Sequence, residues 1–194
     1  MKNIYDYIIV GGGIIGLSTA YKLALKFPLK TILVLEKEKE LAKHQTGKNS
    51  GVIHSGIYYT PGSLKAKNCL DGRHQLLDFA KKHNISHNMC GKLIAAFEES
   101  ELETLDKIYK NGIQNGLENI KILSSEQSKE YEPNIECIKS IFVPYAGIID
   151  YVEVVNVLSK EFLKINNNNL VLKNTKVISV FEGDSEKSIK TNNG

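Results

Sequence analysis

The stretch YDYIIVGGGIIGLSTAYKLALKF, residues 5–27, limits what this chain can fold into more than any other. A short apolar run at 5–10 ends directly on glycine, as a strand buried in a parallel sheet does. Gly11, Gly13 and Gly16 then spell G-x-G-x-x-G, and Leu17, Ala20, Leu23, Ala24 and Phe27 recur at helical spacing until Pro28 ends the pattern. A second apolar run, TILVL at 31–35, leads to Glu36. Strand, glycine turn, helix and strand in this order make one βαβ unit. In that setting Gly11 permits the tight turn, Gly13 lets a pyrophosphate approach the backbone, and Gly16 lets the helix pack closely on the strand. The helix start, at Ile14 and Ile15, offers unpaired N–H groups and a partial positive charge to phosphates. A carboxylate at Glu36, with Lys37 beside it, suits ribose hydroxyls and repels a 2′-phosphate. The bland alternative is a glycine-rich turn that binds nothing.

A domain for NAD would continue with further βα repeats. This chain instead enters QTGKNSGVIHSGIYY at 45–59, which is too rich in glycine for a helix. A helix follows at 63–83, with Leu64, Leu70, Leu76, Leu77 and Phe79 as its apolar set, then a strand at 92–97. An amphipathic helix at 99–116 carries Leu102, Leu105, Ile108 and Tyr109, and a short capped helix is expected at 124–131. A strand at 140–149 breaks at Pro144, and a helix at 151–165 presents Val154, Val155, Leu158 and Phe162. Strands at 170–173, 176–182 and 188–191 close the pattern. This departure from βα repetition favours FAD over NAD. The sequence ends on Asn192-Asn193-Gly194, a hairpin-turn signal with no return strand behind it. One βαβ unit also makes a narrow sheet. The expectation is therefore the N-terminal part of a larger protein, with a frayed natural terminus as the alternative.

Composition excludes several classes. Of 25 basic residues, Arg73 is the one arginine, and the lysines alternate with acids, as in KEKEL, for a net charge of +3. A nucleic-acid binder would cluster its basic residues and use arginine on base edges. No stretch reaches the roughly 18 apolar residues of a membrane span. Cys69, Cys90 and Cys137 form no CxxC pair, which fits reduced thiols in a cytoplasmic setting. His44, His74, His83 and His87 lack metal-ligand spacing, so no metal is expected.

Three segments, GGGIIGLSTAYKLA, HQTGKNSGVIHSGIYYTPGSLKAKNC and YAGIIDY, resemble the D-amino-acid-oxidase-like flavoprotein superfamily. The long middle segment is most similar to the L-2-hydroxyglutarate oxidase/dehydrogenase family. The resemblance runs along the whole chain but covers only about the first half of a family member. It implies an α/β fold: a Rossmann-like FAD-binding domain with an inserted α+β substrate domain, here truncated. Residues 1–83 would begin the FAD-binding domain, 84–150 the substrate domain, and 151–194 would return to the first. The implied reaction oxidises a 2-hydroxy acid to a 2-oxo acid, with electrons passing through FAD to oxygen or a membrane quinone. Glycerol 3-phosphate or an amino acid is the alternative substrate, and a truncated module without activity the alternative to an enzyme. Electron transfer to a quinone would imply peripheral association with the inner membrane.

By the same resemblance, Thr46, Asn49, Ser50, Gly51 and Val52 line the pyrophosphate and flavin, and the Val177 backbone meets the adenine. Backbone N–H groups from Gly and Asn-Ser turns suit the negative charge that develops on a flavin during reduction. His54 is the catalytic candidate, because removing hydride from a hydroxy-bearing carbon also requires removing the hydroxyl proton. Packing on the flavin, or covalent attachment to it, are its other readings. Tyr58 and Tyr59 could donate to a substrate carboxylate, although adjacent strand residues face opposite ways and one of them would then be core. Arg73 could clamp a carboxylate, but its place in a polar helix favours a surface or structural role.

Overall fold

The computed structural model describes residues 4–184 and 186–193. Two compact units share the chain, Met1–Ser50 with Asp150–Gly194 in one and Gly51–Ile149 in the other. The first unit opens with β1 (Tyr7–Val10), α1 (Ile14–Lys26) and β2 (Ile32–Leu35). The second contains β3 (Val52–Ile53), α2 (Leu64–Lys82), β4 (His87–Asn88), β5 (Lys92–Ala96), α3 (Leu102–Gln114), β6 (Lys121–Ser124), α4 (Ser125–Lys129), β7 (Lys139–Val143) and β8 (Gly147–Ile149). The chain then returns to the first unit with α5 (Tyr151–Ile165), β9 (Leu170–Leu172), β10 (Val177–Glu182) and β11 (Lys187–Thr191).

In the first unit β1, β2 and β9 form a parallel sheet in that order. All four residues of β2, the central strand, are buried, as the run of Ile, Leu and Val requires. Leu17, Ala20 and Ala24 bury one face of α1, and α5 packs against that helix. Asp150 starts α5 by accepting from the N–H groups of Val152 at 2.8 Å and Glu153 at 3.3 Å, an N-cap worth about 1 kcal/mol. Val154, Val155, Leu158 and Phe162 are buried as the spacing predicts. The asparagine run 166–169 is a turn, yet Asn169 is buried within it. Its Oδ1 accepts from Ile32 N at 3.0 Å and its Nδ2 donates to Phe162 O at 3.2 Å, which ties β2 to α5. β10 and β11 pair as an antiparallel hairpin. Asn192 and Asn193 form a turn after it, and Gly194, the last residue of the expected hairpin signal, lies outside the described residues.

The second unit holds two antiparallel sheets, β3-β8-β4 and β5-β7-β6. Its core gathers Ile57, Ala96, Leu105, Leu117, Ile120, Ile141 and Val143, with Leu102, Ile108 and Tyr109 of α3 packed at the edge. The chain breaks between β7 and β8 around Pro144, as the sequence indicates. Ser124 and Gln127 cap α4 reciprocally.

The compact units divide at 50/51, whereas the sequence groups residues 51–83 with the N-terminal part. The reason is pairing: β3 joins β8 antiparallel, and Arg73 of α2 lies over the Tyr145 ring. The return crossing at 149/150 falls one residue from the sequence boundary. Helix α2 also buries a different face from the one its leucines indicate. Ala66, Arg73 and Ala80, seven residues apart, are the buried stripe, and Leu64 is exposed. Spacing of seven repeats one helical face, so the arginine stands in the middle of the inward stripe.

Candidate functional site

The glycine turn of the first unit is built largely of backbone. Gly11 takes φ +108°, a conformation that L side chains avoid. A Cβ at Gly16 would overlap the Gly11 carbonyl oxygen, so the start of α1 presses against the end of β1. A Cβ at Gly13 would lie 3.0 Å from Thr46 Oγ1. Thr46 comes from a loop that folds back over the turn: Ala42 N donates to Gly12 O at 3.2 Å, and Thr46 Oγ1 accepts from Ile14 N at 3.0 Å. Asn49 Nδ2 closes the loop on Thr46 O at 2.6 Å. Thr46 thus satisfies one of the orphan N–H groups of the helix, while those of Ile15 and Gly16 have no acceptor within it. The first turn of α1 has no acidic residue, so no side chain of that turn neutralises its positive end. This is a cradle in which an added methyl would occupy ligand space, and it fits the pyrophosphate of a dinucleotide.

Glu36 does more than end β2. It is buried, and one carboxylate oxygen accepts from Gly12 N at 2.6 Å while the other accepts from Glu38 N at 2.9 Å. Its side chain therefore fixes the glycine turn. The Glu36 backbone is held in turn, donating to Leu172 O and accepting from Thr175 N, each at 2.8 Å. Val177, half-buried, follows two residues later at the start of β10. Lys37 is exposed and pairs loosely with Glu38 at 3.8 Å. The structure thus gathers Gly11, Gly13, Ile14, Ile15, Gly16, Glu36, Lys37, Thr46, Asn49, Ser50 and Val177 in the first unit.

Gly51, Val52, His54, Tyr58 and Tyr59 belong to the second unit. Gly51 adopts φ +67° and its carbonyl accepts from Ile149 N at 2.9 Å. His54 is exposed, and its carbonyl accepts from Cys69 Sγ at 3.4 Å. Tyr58 and Tyr59 lie in a turn, so strand alternation does not govern them. Tyr58 is 53% exposed, Tyr59 is half-buried, and the core position falls to Ile57. Asn115 Nδ2 holds the turn through Tyr59 O at 2.8 Å.

Two residues that sequence reasoning passed over or discounted stand beside this turn. Arg73 is 6% exposed; its Nη1 donates to Ser55 O at 3.4 Å and its Cζ lies 4.8 Å from the Tyr145 ring centroid. Of the surface or structural role favoured for it from sequence, burial leaves the structural one. Lys92, half-buried, places Nζ 4.4 Å from the Tyr58 ring centroid. Burial lowers the pKa of both cations and raises those of Tyr58 and Cys69. The available signal was the singularity of Arg73 in a lysine-rich chain. Among the described residues no cluster of three His, Cys, Asp or Glu could hold a metal ion, and no helix is long and apolar enough to cross a membrane.

A parallel sheet, a glycine turn and a helix start in this arrangement define a dinucleotide-binding α/β protein. The family model for FAD dependent oxidoreductases (DAO) matches residues 6–194, and the chain belongs to that family. The mitochondrial L-2-hydroxyglutarate dehydrogenase of Dictyostelium discoideum is 46% identical over 193 residues, covering 98% of this chain and 40% of that protein. The mitochondrial enzyme of the same name from Bos taurus is 47% identical over 158 residues, covering 81% and 34%. Among solved structures, FAD-bound L-alpha-glycerophosphate oxidase from Mycoplasma pneumoniae matches with a TM-score of 0.88 at 31% identity, covering 100% of this chain and 51% of that one. The chain thus spans well under two thirds of each of these proteins.

Proposed function

We propose that the protein to which this chain belongs is an FAD-dependent oxidoreductase that converts L-2-hydroxyglutarate to 2-oxoglutarate. The observation that carries this reading is 46% identity with an L-2-hydroxyglutarate dehydrogenase across 98% of the chain. The glycine cradle supports it, with Gly11, Gly13, Ile14, Ile15, Gly16, Thr46, Asn49 and Ser50 assigned to the dinucleotide phosphates. Glu36 and Lys37 are assigned to the ribose, Val177 to the adenine, and Gly51 and Val52 to the flavin. On this reading Met1–Ser50 and Asp150–Gly194 form the FAD-binding part, and the substrate part lies within Gly51–Ile149.

When bound, FAD supplies the two-electron acceptor for the substrate's C–H bond. The chain's own groups would do the rest. His54 takes the hydroxyl proton, a role open to an exposed imidazole. Tyr58 and Tyr59 orient a carboxylate. Oxygen or a quinone is the terminal electron acceptor, the site is cytoplasmic, and transfer to quinone would bring the protein to a membrane surface. The test is anaerobic: L-2-hydroxyglutarate should bleach the flavin of the purified gene product, and His54→Asn should slow that bleaching by about 100-fold without releasing the flavin. Absence of bleaching sinks the substrate assignment. A second reading, oxidation of glycerol 3-phosphate, is favoured by the 31% identity to the glycerophosphate oxidase; bleaching by that substrate alone selects it.

A further inference from the structure

The second unit holds two cations that, among the described residues, no carboxylate answers. Arg73, the one arginine of the sequence, is buried. A guanidinium carries five N–H donors, and among the described residues only the Ser55 carbonyl accepts from this one, at a long 3.4 Å. Lys92 is half-buried and is likewise absent from the ion pairs among the described residues. Both charges reach the same thiol, since each favours the ionised form of Cys69. Burial nevertheless pushes that thiol up, so Cys69 is not their counter-ion. The Tyr145 and Tyr58 rings receive the two cations on their faces, which offsets part of their desolvation but supplies no negative charge. Beside them Ser55 Oγ is buried with no hydrogen-bond partner. A buried hydroxyl without a partner, next to a guanidinium with spare donors, is an unfavourable arrangement that an incoming anion would relieve.

We propose that Arg73, Lys92 and the Ser55 hydroxyl recognise the distal carboxylate of a dicarboxylate substrate. The planar fork of Arg73 matches a carboxylate's two oxygens, and Lys92 adds a point charge. The site adjoins the catalytic candidate: Arg73 bonds the carbonyl of the residue after His54, and Cys69 Sγ donates to the His54 carbonyl. A five-carbon hydroxy diacid separates its reacting carbon from its far carboxylate by two methylenes. The proposal rests on the reading of the substrate as 2-hydroxyglutarate and adds the groups that tell a diacid from a monoacid.

The test is discrimination, read by titration calorimetry on the gene-encoded protein purified with its flavin, using glutarate, butyrate and inorganic phosphate. Glutarate should bind at least tenfold more tightly than either of the others. Lys92→Met and Arg73→Gln should each cut that preference tenfold or more, and Arg73→Lys should restore part of it by returning the charge without the fork. Arg73 is buried and its replacement tests folding too; Lys92→Met keeps the stem of a half-buried residue and answers independently. An unchanged preference in Lys92→Met overturns the proposal, as does phosphate binding more tightly than glutarate. Cation-dependent glutarate binding without flavin reduction by L-2-hydroxyglutarate leaves the anion site standing and sinks the substrate reading. Flavin reduction by L-2-hydroxyglutarate with wild-type KM in both variants does the reverse.

Discussion

The glycine turn of the first unit and the cationic cluster of the second present positive charge in opposite ways. The turn uses main-chain N–H groups at the start of α1, and the side chains near it, Thr46 and Glu36, brace the backbone through Ile14 and Gly12. The cluster uses side chains: the charges of Arg73 and Lys92 meet tyrosine rings and a neutral thiol, and the Ser55 hydroxyl is buried without a partner. A backbone site tolerates no added atom. A side-chain site tolerates substitution of its scaffold and loses only the group removed.

The largest expected effect therefore comes from one carbon. Gly16→Ala places a methyl on the Gly11 carbonyl and should destabilise the protein by about 3 kcal/mol or more, with loss of flavin on purification. Urea unfolding close to wild type would show that the turn is not locked by close packing. Next is Glu36→Gln, which removes a charged acceptor from Gly12 N–H or Glu38 N–H and sets an amide donor against one of them. A loss of about 1.5–3 kcal/mol is expected, and Glu36→Asp, with its shorter reach, should not recover it. In the second unit Ser55→Ala should go the other way. Removing a buried hydroxyl that has no partner should stabilise the protein by about 1 kcal/mol; a fall in unfolding midpoint would mean that the hydroxyl is satisfied in the free protein.

The smallest effect lies at Asp6, exposed in the first unit. The Lys30 side chain and the Thr31 N–H hold its carboxyl well below the usual range, at about 2. A depressed folded-state pKa means that its contribution is complete above the unfolded value, near about pH 4, and disappears as pH falls through about 2. The gap in unfolding midpoint between wild type and Asp6→Asn should be constant above about pH 4, shrink below it, and narrow with added salt. A gap that survives at the acid end would point to shape rather than charge.

What the sequence disclosed follows the same division. The βαβ unit, helix α5 and the break at Pro144 were legible because each depends on local pattern: glycine spacing, apolar periodicity, a proline. The partner of Glu36 was not, since Gly12 lies 24 residues away and only the folded sheet end brings the two together. Arg73 reads as a surface or structural residue because its helix is polar, and the choice rests on partners far off in sequence: Ser55, 18 residues back, and Tyr145 beyond β7. The two-residue strands β3 and β4 carry no periodicity to detect. The short strand β6 was missed as well, because its existence depends on pairing with β7. That 51–83 falls in the second compact unit was not legible for a related reason: a helix pattern states which residues are apolar, not what the helix will rest on.

The second unit leaves and rejoins the first at Gly51 and Ile149, and those two residues are bonded to each other, N–H to carbonyl, at 2.9 Å. Its entry and exit are thus a single point in space. Such a segment behaves like a cassette: a short link from Ser50 to Asp150 would bypass it, and a cassette of different content and length could be placed on the same two ends. The entropic penalty of closing a loop grows only with the logarithm of its length, so the first unit would be nearly indifferent to the exchange. What lies between two neighbouring residues can then be replaced, while the glycine turn that precedes them stays as it is.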